Sequence, residues 1–267
     1  MHVRHAVFGA VIASFLSSPL ALACDGLRDG PKGKVTEVVD GDTVHLDNGI
    51  VVRLIGTQAP KLALGREGFE DWPLGTEAKT ALEKLVLGQQ VILRYGGEQI
   101  DRYSRALGQL FTTGNSPIWV QQTMLSQGMA RVYSFPDNRK CLAELMAAES
   151  HARTMKLGIW TDPYYSVRRA DRPAAMAPLE GHYELVEGRV LLAEPAQGRV
   201  FLNFGRLWKE DFTAVIDRTA LTLFADDGID PTKLGGALVR VRGWVDINDG
   251  PRIEVTHPEQ IEVLAGP

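Results

Sequence analysis

The sequence contains few cysteines. Only Cys24 and Cys141 occur among 267 residues, so the chain is not a small disulfide-rich scaffold. Neither cysteine has a second cysteine or a histidine nearby at the spacing of zinc ligands, which argues against a zinc site. Apolar residues make up 45% of the chain and charged residues 23%, the proportions of an ordinary globular protein.

Long hydrophobic runs are also absent beyond the first 23 residues. MHVRHAVFGAVIASFLSSPLALA has a weakly basic start, an apolar centre and small residues at its end, the layout of a secretory signal peptide. A membrane anchor is the alternative, but the apolar centre is short and is interrupted by Ser17, Ser18 and Pro19. We therefore predict a signal peptide over 1–23, cleavage before Cys24, and an exported protein that is periplasmic or secreted.

Export gives the two cysteines a predicted role. In an oxidising compartment, two cysteines in a mature chain favour a disulfide between Cys24 and Cys141. Lipidation of Cys24 is the second interpretation. It is disfavoured because the preceding Ala21-Leu22-Ala23 lacks the leucine that such sites have three positions before the cysteine.

The chain has no general excess of basic residues. Residues 24–169 contain 18 basic and 17 acidic side chains, whereas residues 170–267 contain 10 basic and 16 acidic ones. Neither half would attract a polyanion non-specifically, so binding of nucleic acid would depend on a local patch.

Short strand-like runs dominate residues 24–169. KVTEVV, TVHL and IVVRLI precede a first helix, and VILRY and LGQLFT precede two more. The Asn48-Gly49 dipeptide marks a hairpin turn. Five strands with three helices predict an OB-type barrel.

A Pro/Ala-rich segment separates this region from a second one. The segment at 170–181, ADRPAAMAPLEG, has no periodicity and is the predicted linker. The runs that follow it predict a small all-β barrel or sandwich over 182–267. The resulting division is a signal peptide at 1–23, one domain at 24–169, a linker, and a second domain.

Charged residues in the first domain suggest phosphate chemistry. Asp40 and Asp42 flank Gly41 at the start of a strand, where they either hold a divalent cation or simply form a turn. Arg53 lies within an apolar strand and needs an anionic partner, either a ligand or an internal carboxylate. Arg105 follows a turn and is either a second phosphate contact or a solvated charge.

These pieces resemble the staphylococcal nuclease (thermonuclease) family over about residues 33–162. The resemblance is carried by VVDGDTVHL, VVRLIGTQAPK, DRYSRALGQL, LSQGMARVY and LGIW, in that order. It implies an OB-type barrel with three helices. It also implies cleavage of DNA and RNA phosphodiesters with one Ca²⁺, two arginines that stabilise charge at phosphorus, and a glutamate that activates water.

The family's site residues map onto this sequence one by one. Asp42 matches a calcium carboxylate, and Asp40 lies beside it as a further candidate ligand. Arg53 and Arg105 match the two catalytic arginines. Tyr103 matches a nucleotide contact, and Arg102 stands where the family often has a basic residue. The implied partner is nucleic acid or a nucleotide.

Two positions depart from the family pattern. Gln58 stands at the second calcium carboxylate, and Lys61 stands at the catalytic glutamate. Loss of a general base typically costs ~10²–10⁴ in rate, so we predict that calcium-dependent hydrolysis is impaired. Substitute carboxylates would have to come from the loop that contains Glu67, Glu70 and Asp71. The alternatives are a binding protein without turnover and a scaffold module of the cell envelope.

The second domain has a weaker resemblance to nucleic-acid-binding β-barrel modules. Four of its residues could form a stacking platform: Phe201, Arg240, Arg242 and Trp244. Its acidic balance favours a structural companion domain instead.

Overall fold

The computed structural model describes residues 24–267, so the predicted signal peptide lies outside the described residues. Two regions each have their own hydrophobic core. The barrel region comprises seven strands and three helices: β1 (Arg28–Asp40), β2 (Thr43–Leu46), β3 (Val51–Leu54), β4 (Gly56–Gln58), α1 (Gly75–Val86), β5 (Gln90–Tyr95), β6 (Ala106–Thr112), α2 (Val120–Ser126), β7 (Arg131–Tyr133) and α3 (Leu142–Thr154).

Five strands of this region close into a barrel in the order β1-β2-β3-β6-β5. The neighbours are antiparallel except β3 and β6, which run parallel and pair Val52 with Ala106. Alternation along each strand directs residues such as Val44, Val52 and Leu110 into the core. The predicted five-stranded barrel is therefore confirmed. The pairing of the short strands β4 and β7 outside the barrel is an addition that the sequence did not indicate.

The three helices cover the barrel with their apolar faces. Helix α1 begins at Gly75 and buries Ala78, Leu82 and Val86. Helix α3 buries an acidic residue, Glu149, on the same face as Leu142 and Leu145. An acidic side chain on a buried face needs partners, and besides Arg153 of the same helix Glu149 is paired with Arg242 of the second region.

The sheet region follows: β8 (Arg168–Arg169), β9 (Tyr183–Arg189), β10 (Leu192–Ala196), β11 (Arg199–Asn203), β12 (Thr213–Ile216), α4 (Arg218–Asp226), β13 (Leu238–Ile247), β14 (Pro251–Val255) and β15 (Ile261–Ala265). The strands form one curled sheet in the order β10-β11-β12-β14-β13-β9-β8, and β15 also pairs with β13. Helix α4, which the strand patterns did not predict, buries Ala220 and Phe224 against the sheet.

The segment predicted as a linker contacts the sheet region closely. Ala170 and Met176 are buried in the second core, and short 3₁₀ turns occupy Pro173–Ala175 and Ala177–Leu179. Strand β8 pairs with β9 before the segment begins. Residues 170–181 are therefore anchored at two buried positions and are not a free tether.

A disulfide joins Cys24 to Cys141, as the cysteine count predicts, with Cα atoms 5.1 Å apart. It ties the start of the described chain to the residue before α3. None of the helices within residues 24–267 has the length and apolar character needed to cross a bilayer.

Candidate active site

The turn between β1 and β2 brings Asp40 and Asp42 together. Asp40 pairs with Thr43 across this tight connection, and its side chain accepts a hydrogen bond from the backbone N–H of Asp42. Gly41 between them faces Ala59 and Ala78. A Cβ at position 41 would lie 2.5 Å from the Cβ of Ala59 and 2.9 Å from that of Ala78. The sequence Asp-Gly-Asp therefore reflects close packing of this turn against α1.

The Asp42 carboxylate is fully buried and is bound by an ammonium group. Lys61 Nζ lies 2.8 Å from Oδ1 and 2.7 Å from Oδ2 of Asp42. The same ammonium lies 3.4 Å from Asp40 Oδ2. The backbone N–H of Ala59 donates to Asp42 Oδ2 at 2.8 Å. Both carboxylate oxygens of Asp42 thus have partners from this chain.

The pKa values of the two carboxyl groups move in opposite directions. Burial acts to raise the pKa of Asp42, but the cations of Arg53 and Lys61 outweigh burial and hold this pKa below its usual range. The pKa of Asp40 is raised, chiefly by burial and then by the negative charge of Asp42. Asp42 is therefore the permanent anion of the site.

The guanidinium group of Arg53 is occupied by internal acceptors. It donates to the backbone carbonyls of Leu54 at 2.6 Å and Thr57 at 2.7 Å. Its Nη2 also lies 3.4 Å from Asp42 Oδ2. Of the two interpretations of this arginine, the structure shows the internal ion pair.

The side chain of Gln58 is hydrogen-bonded to an arginine. It is buried at the end of β4, and its Oε1 accepts a hydrogen bond of 2.9 Å from Nε of Arg131 in β7. The Arg131 guanidinium lies 5.0 to 5.8 Å from the ring centres of Tyr183, Tyr165 and Trp72. Tyr183 belongs to the sheet region, so Gln58 is part of the contact between the two regions. The oxygen of Gln58 is thus engaged by Arg131, and the role of Gln58 as a metal ligand stays a prediction.

Arg131 is the residue that sequence analysis missed. It is buried, and burial lowers its pKa, whereas the charge of Glu184 acts to raise it. In the sequence it is one basic residue in the short run LSQGMARVY, and no local pattern connects it to Gln58. Only the antiparallel pairing of β4 with β7, which aligns Gln58 with Arg131, shows the connection.

Arg105, Tyr103 and Arg102 form a separate, more exposed group on the turn before β6. Asp101 accepts hydrogen bonds from the Arg105 side chain and from the backbone of both Arg105 and Tyr103. The guanidinium groups of Arg102 and Arg105 lie 4.9 and 5.4 Å from the Tyr103 ring centre. Within residues 24–267, no hydrogen bond or ion pair joins this turn to Asp42.

Arg105 lies immediately before β6, close in strand register to Arg53. Arg53 on β3 is paired with Leu107, two residues beyond Arg105. Arg53 is buried and held by Asp42, whereas Arg105 is about one-third exposed and held by Asp101. Each arginine thus has its own aspartate partner.

The loop after Lys61 supplies no replacement carboxylate to Asp42. The Asp71 side chain accepts the backbone N–H of Ala63, and Glu67 and Glu70 are exposed. Arg66 contacts the ring of Phe69 within the same loop. Of the three acidic residues in this loop, Asp71 holds the loop backbone, whereas Glu67 and Glu70 are exposed to solvent.

The donor set does not fit Ca²⁺. Calcium takes six to eight oxygen ligands, but here an ammonium group covers both oxygens of Asp42 and an arginine holds the oxygen of Gln58. Across residues 24–267, no group of three or more His, Cys, Asp or Glu side chains is arranged to hold a metal ion. Lys61 supplies positive charge where the calcium-dependent family pattern has an acid.

The proposed stacking platform of the second region is not formed. Arg242 is fully buried and contacts Glu149 of α3 at 2.9 Å and also Glu262, and Arg240 contacts Glu187 at 2.9 Å. Trp244 is partly exposed and donates from Nε1 to Tyr133 Oη at 3.1 Å. Arg242 therefore joins the two regions and Arg240 is paired within the sheet region, so neither is available to a nucleic acid.

Comparison with known proteins agrees with the barrel geometry. The family model described as staphylococcal nuclease homologue matches residues 51–162. Protein ParB of Escherichia coli is 31% identical over 142 residues, which are 50% of this chain and 74% of ParB. Endonuclease YncB of Bacillus subtilis is 30% identical over 136 residues, covering 49% and 62% of the two chains. The thermonuclease of Staphylococcus hyicus is 27% identical over 137 residues, covering 48% and 75%. With this similarity and the closed five-stranded barrel, the chain belongs to the staphylococcal nuclease homologue family.

Proposed function

We propose that this is an exported, nuclease-like protein in which calcium-dependent phosphodiester hydrolysis is impaired. A nuclease-like role is supported by the relatives named endonuclease and thermonuclease. Export is supported by the signal-like sequence at 1–23 and by the disulfide between Cys24 and Cys141. The impairment rests on one observation, the contact of Lys61 Nζ with both carboxylate oxygens of Asp42.

This contact removes two requirements of the family's chemistry at once. A protonated ammonium cannot accept a proton from water, so Lys61 cannot replace a general base worth ~10²–10⁴ in rate. Its charge also repels a divalent cation from the same carboxylate. The negative charges of Asp40 and Asp42 are balanced by the positive charges of Arg53 and Lys61. The site is therefore close to electrically neutral without a metal ion.

A weaker capacity to bind phosphate is retained outside this cluster. Arg105 is about one-third exposed, and Tyr103 is more exposed still. Exchanging the Asp101 partner of Arg105 for a phosphate group would cost little at such an exposed position. Arg53 already donates to two backbone carbonyls and lies beside Asp42. It would therefore contribute positive charge to phosphate binding but no free pair of N–H donors. Binding of a nucleotide without turnover is the second candidate function, and it depends on this turn.

The test is cleavage of single-stranded DNA and RNA by purified mature protein, with calcium and with chelator. We expect no calcium-stimulated cleavage by the wild type. Titration with a nucleoside 3′,5′-bisphosphate should show weak binding that Arg105→Ala reduces and that Arg94→Ala, which alters another surface arginine of the barrel region, does not. Robust calcium-dependent cleavage would contradict the proposal of impairment. Absence of nucleotide binding would contradict only the second candidate.

A further inference from the structure

Five strands of the sheet region have one face that points away from the second hydrophobic core. Val200, Leu202, Ala214 and Ile253 point inward, and the residues between them point outward. Cross-strand register aligns one outward row across the sheet. Its members are Leu192, Asn203, Thr213, Arg252 and Asp246, on β10, β11, β12, β14 and β13 respectively.

An aromatic cavity lies at one end of this face, where the sheet meets the barrel. It has a volume of about 320 Å³ and is lined by aromatic residues of both regions together with two carboxylates, Asp246 and Glu254. Tyr133 and Phe135 come from the barrel region, and Tyr183 and Trp244 come from the sheet. Trp244 is 44% exposed, so part of its indole ring is accessible to a ligand.

A second cavity, of about 450 Å³, lies at the other end. Phe201, Val215 and Trp208 line this cavity, and Trp208 is 57% exposed. Its polar residues include two acidic ones, Glu194 and Asp249. The combination of aromatic rings with carboxylates thus occurs at both ends of the face.

The two cavities are connected through one cross-strand ion pair. Arg252 lines the second cavity and Asp246 lines the first, and Arg252 Nε donates to Asp246 Oδ2 at 2.7 Å. We call the whole surface the aromatic groove, from Tyr133 and Trp244 across Asp246 and Arg252 to Phe201 and Trp208. Five strands spaced ~4.8 Å apart make it ~19 Å long, the length of about six extended residues.

The charge of the aromatic groove selects its ligand. Four carboxylates line it, those of Glu194, Asp246, Asp249 and Glu254, against the cation of Arg252 and the ammonium of Lys209, which lies 5.1 Å from the centre of the Trp208 ring. Arg252 is already paired with Asp246, and the carboxylates still outnumber the cations by two, so a polyanion would meet net repulsion. Exposed indole rings beside carboxylates attract Lys and Arg side chains through cation–π contact and ion pairing. We propose that the aromatic groove binds an extended, basic polypeptide segment of a partner protein.

Fluorescence anisotropy with dye-labelled probes tests the proposal on the mature, disulfide-bonded protein. The probes are an octapeptide alternating arginine and serine, the matching glutamate–serine octapeptide, and a single-stranded DNA octamer. The arginine peptide should bind, and its affinity should fall as NaCl is raised. The double variant Glu194→Gln/Glu254→Gln should weaken binding roughly fivefold, the size expected for two exposed ion pairs.

Two further variants complete the test. Trp208→Ala removes an exposed ring and should also weaken binding, whereas Glu180→Gln, an exposed acidic residue outside the aromatic groove, should not. Circular dichroism spectra would confirm that the variants fold. Tighter binding of the DNA octamer or of the glutamate peptide than of the arginine peptide would overturn the proposal. Unchanged binding of the arginine peptide to the double variant would overturn it as well, and so would the absence of binding.

Discussion

Arg242 of the sheet region and Glu149 of the barrel region form a fully buried ion pair. Neither side chain has exposed surface, and Arg242 Nη2 lies 2.9 Å from Glu149 Oε2. Glu149 also accepts the backbone N–H of Val132 at 2.7 Å and a hydrogen bond from Arg153 at 2.9 Å. Burial acts to lower the pKa of Arg242, but the charges of Glu149 and Glu262 outweigh it and raise that pKa.

Replacing Arg242 by methionine should strongly destabilise the protein. The change leaves Glu149 buried with Arg153 as its remaining charged partner, and breaking such a pair typically costs ~3–5 kcal/mol. Urea unfolding measures the difference in the free energy of unfolding. The double variant Arg242→Met/Glu149→Met should recover part of the loss. Arg169→Met, at an exposed ion pair with Asp171, serves as the control and should change little. An Arg242→Met protein as stable as the control would contradict the assigned role.

Reversing both family departures together should restore calcium-dependent cleavage more than either change alone. Lys61→Glu removes the ammonium from Asp42, and Gln58→Asp returns a carboxylate. Position 58 faces Arg131, however, so the new aspartate alone should pair with that guanidinium and bind calcium poorly. We expect Lys61→Glu to be the more effective single change and the double variant to exceed both, since groups acting as a unit are not additive.

Single-stranded DNA cleavage with and without calcium measures this effect. Lys84→Glu, the same charge change at an exposed position on α1, is the matched control and should leave activity at the wild-type level. A double variant that shows no gain, although calcium binding by calorimetry is restored, would indicate that the barrel lacks a further requirement for catalysis.

Stability should fall in mild acid because of His257. This residue is buried, with its Nε2 2.6 Å from Ser134 Oγ and its Nδ1 2.9 Å from Thr256 Oγ1. Burial lowers the pKa of His257 to about 4, with further lowering from Arg139 and Arg242. His257 takes up a proton near pH 6.5 in the unfolded chain but only near pH 4 in the folded chain. Its contribution to the free energy of unfolding is therefore fully present above pH 6.5. That contribution decreases by about 3 kcal/mol as the pH falls toward 4.

The measurement compares urea unfolding of wild type and His257→Gln between pH 7 and pH 4.5. The stability difference between the two proteins should shrink as the pH falls, because glutamine does not titrate. His151→Gln, an exposed histidine on α3, should give curves parallel to those of the wild type. A pH-independent difference for His257→Gln would show that the histidine titrates alike in both states.

The disulfide should stabilise the protein appreciably. Cys24 and Cys141 are separated by 117 positions, and closing long loops contributes ~2–5 kcal/mol. Cys24→Ser/Cys141→Ser should lose stability of this order, and reduction of the wild type should cause a similar loss. Thiol titration of denatured, non-reduced protein should detect no free thiol, and two free thiols would contradict the prediction.

The barrel could be predicted from the sequence because its signals are local. Strand alternation, the Asn48-Gly49 turn and the apolar face of α1 each lie within a dozen residues, and the family motifs fix their order. The sequence also showed that Gln58 and Lys61 stand at two positions where the family has acidic residues. Whether Lys61 would turn toward Asp42 or toward solvent depends on the tertiary position of β4, which no local pattern encodes.

The contact between the two regions could not be predicted, since it joins residues far apart in the chain. Arg242 and Arg240 alternate with valines in β13, a pattern that is equally typical of a solvent-exposed face. Glu149 shares its helix with one other acidic residue, Glu144, which is only partly buried, so the residue type alone does not mark it as a buried charge. Only the position of α3 against β13 and β15 shows that these charges neutralise one another.

The buried ion pair of Glu149 and Arg242 also affects when the barrel region becomes stable during synthesis of the chain. Helix α3 is complete when little more than half of the chain exists, yet Arg242 on β13, which pairs with Glu149, and Glu262 on β15, which also binds Arg242, are among the last residues to be made. Until then, the barrel carries a carboxylate that favours water over its own interior. The barrel therefore reaches its final stability only after the C-terminal strands have followed it, and a chain truncated before β13 should remain a folding intermediate and a substrate for proteases.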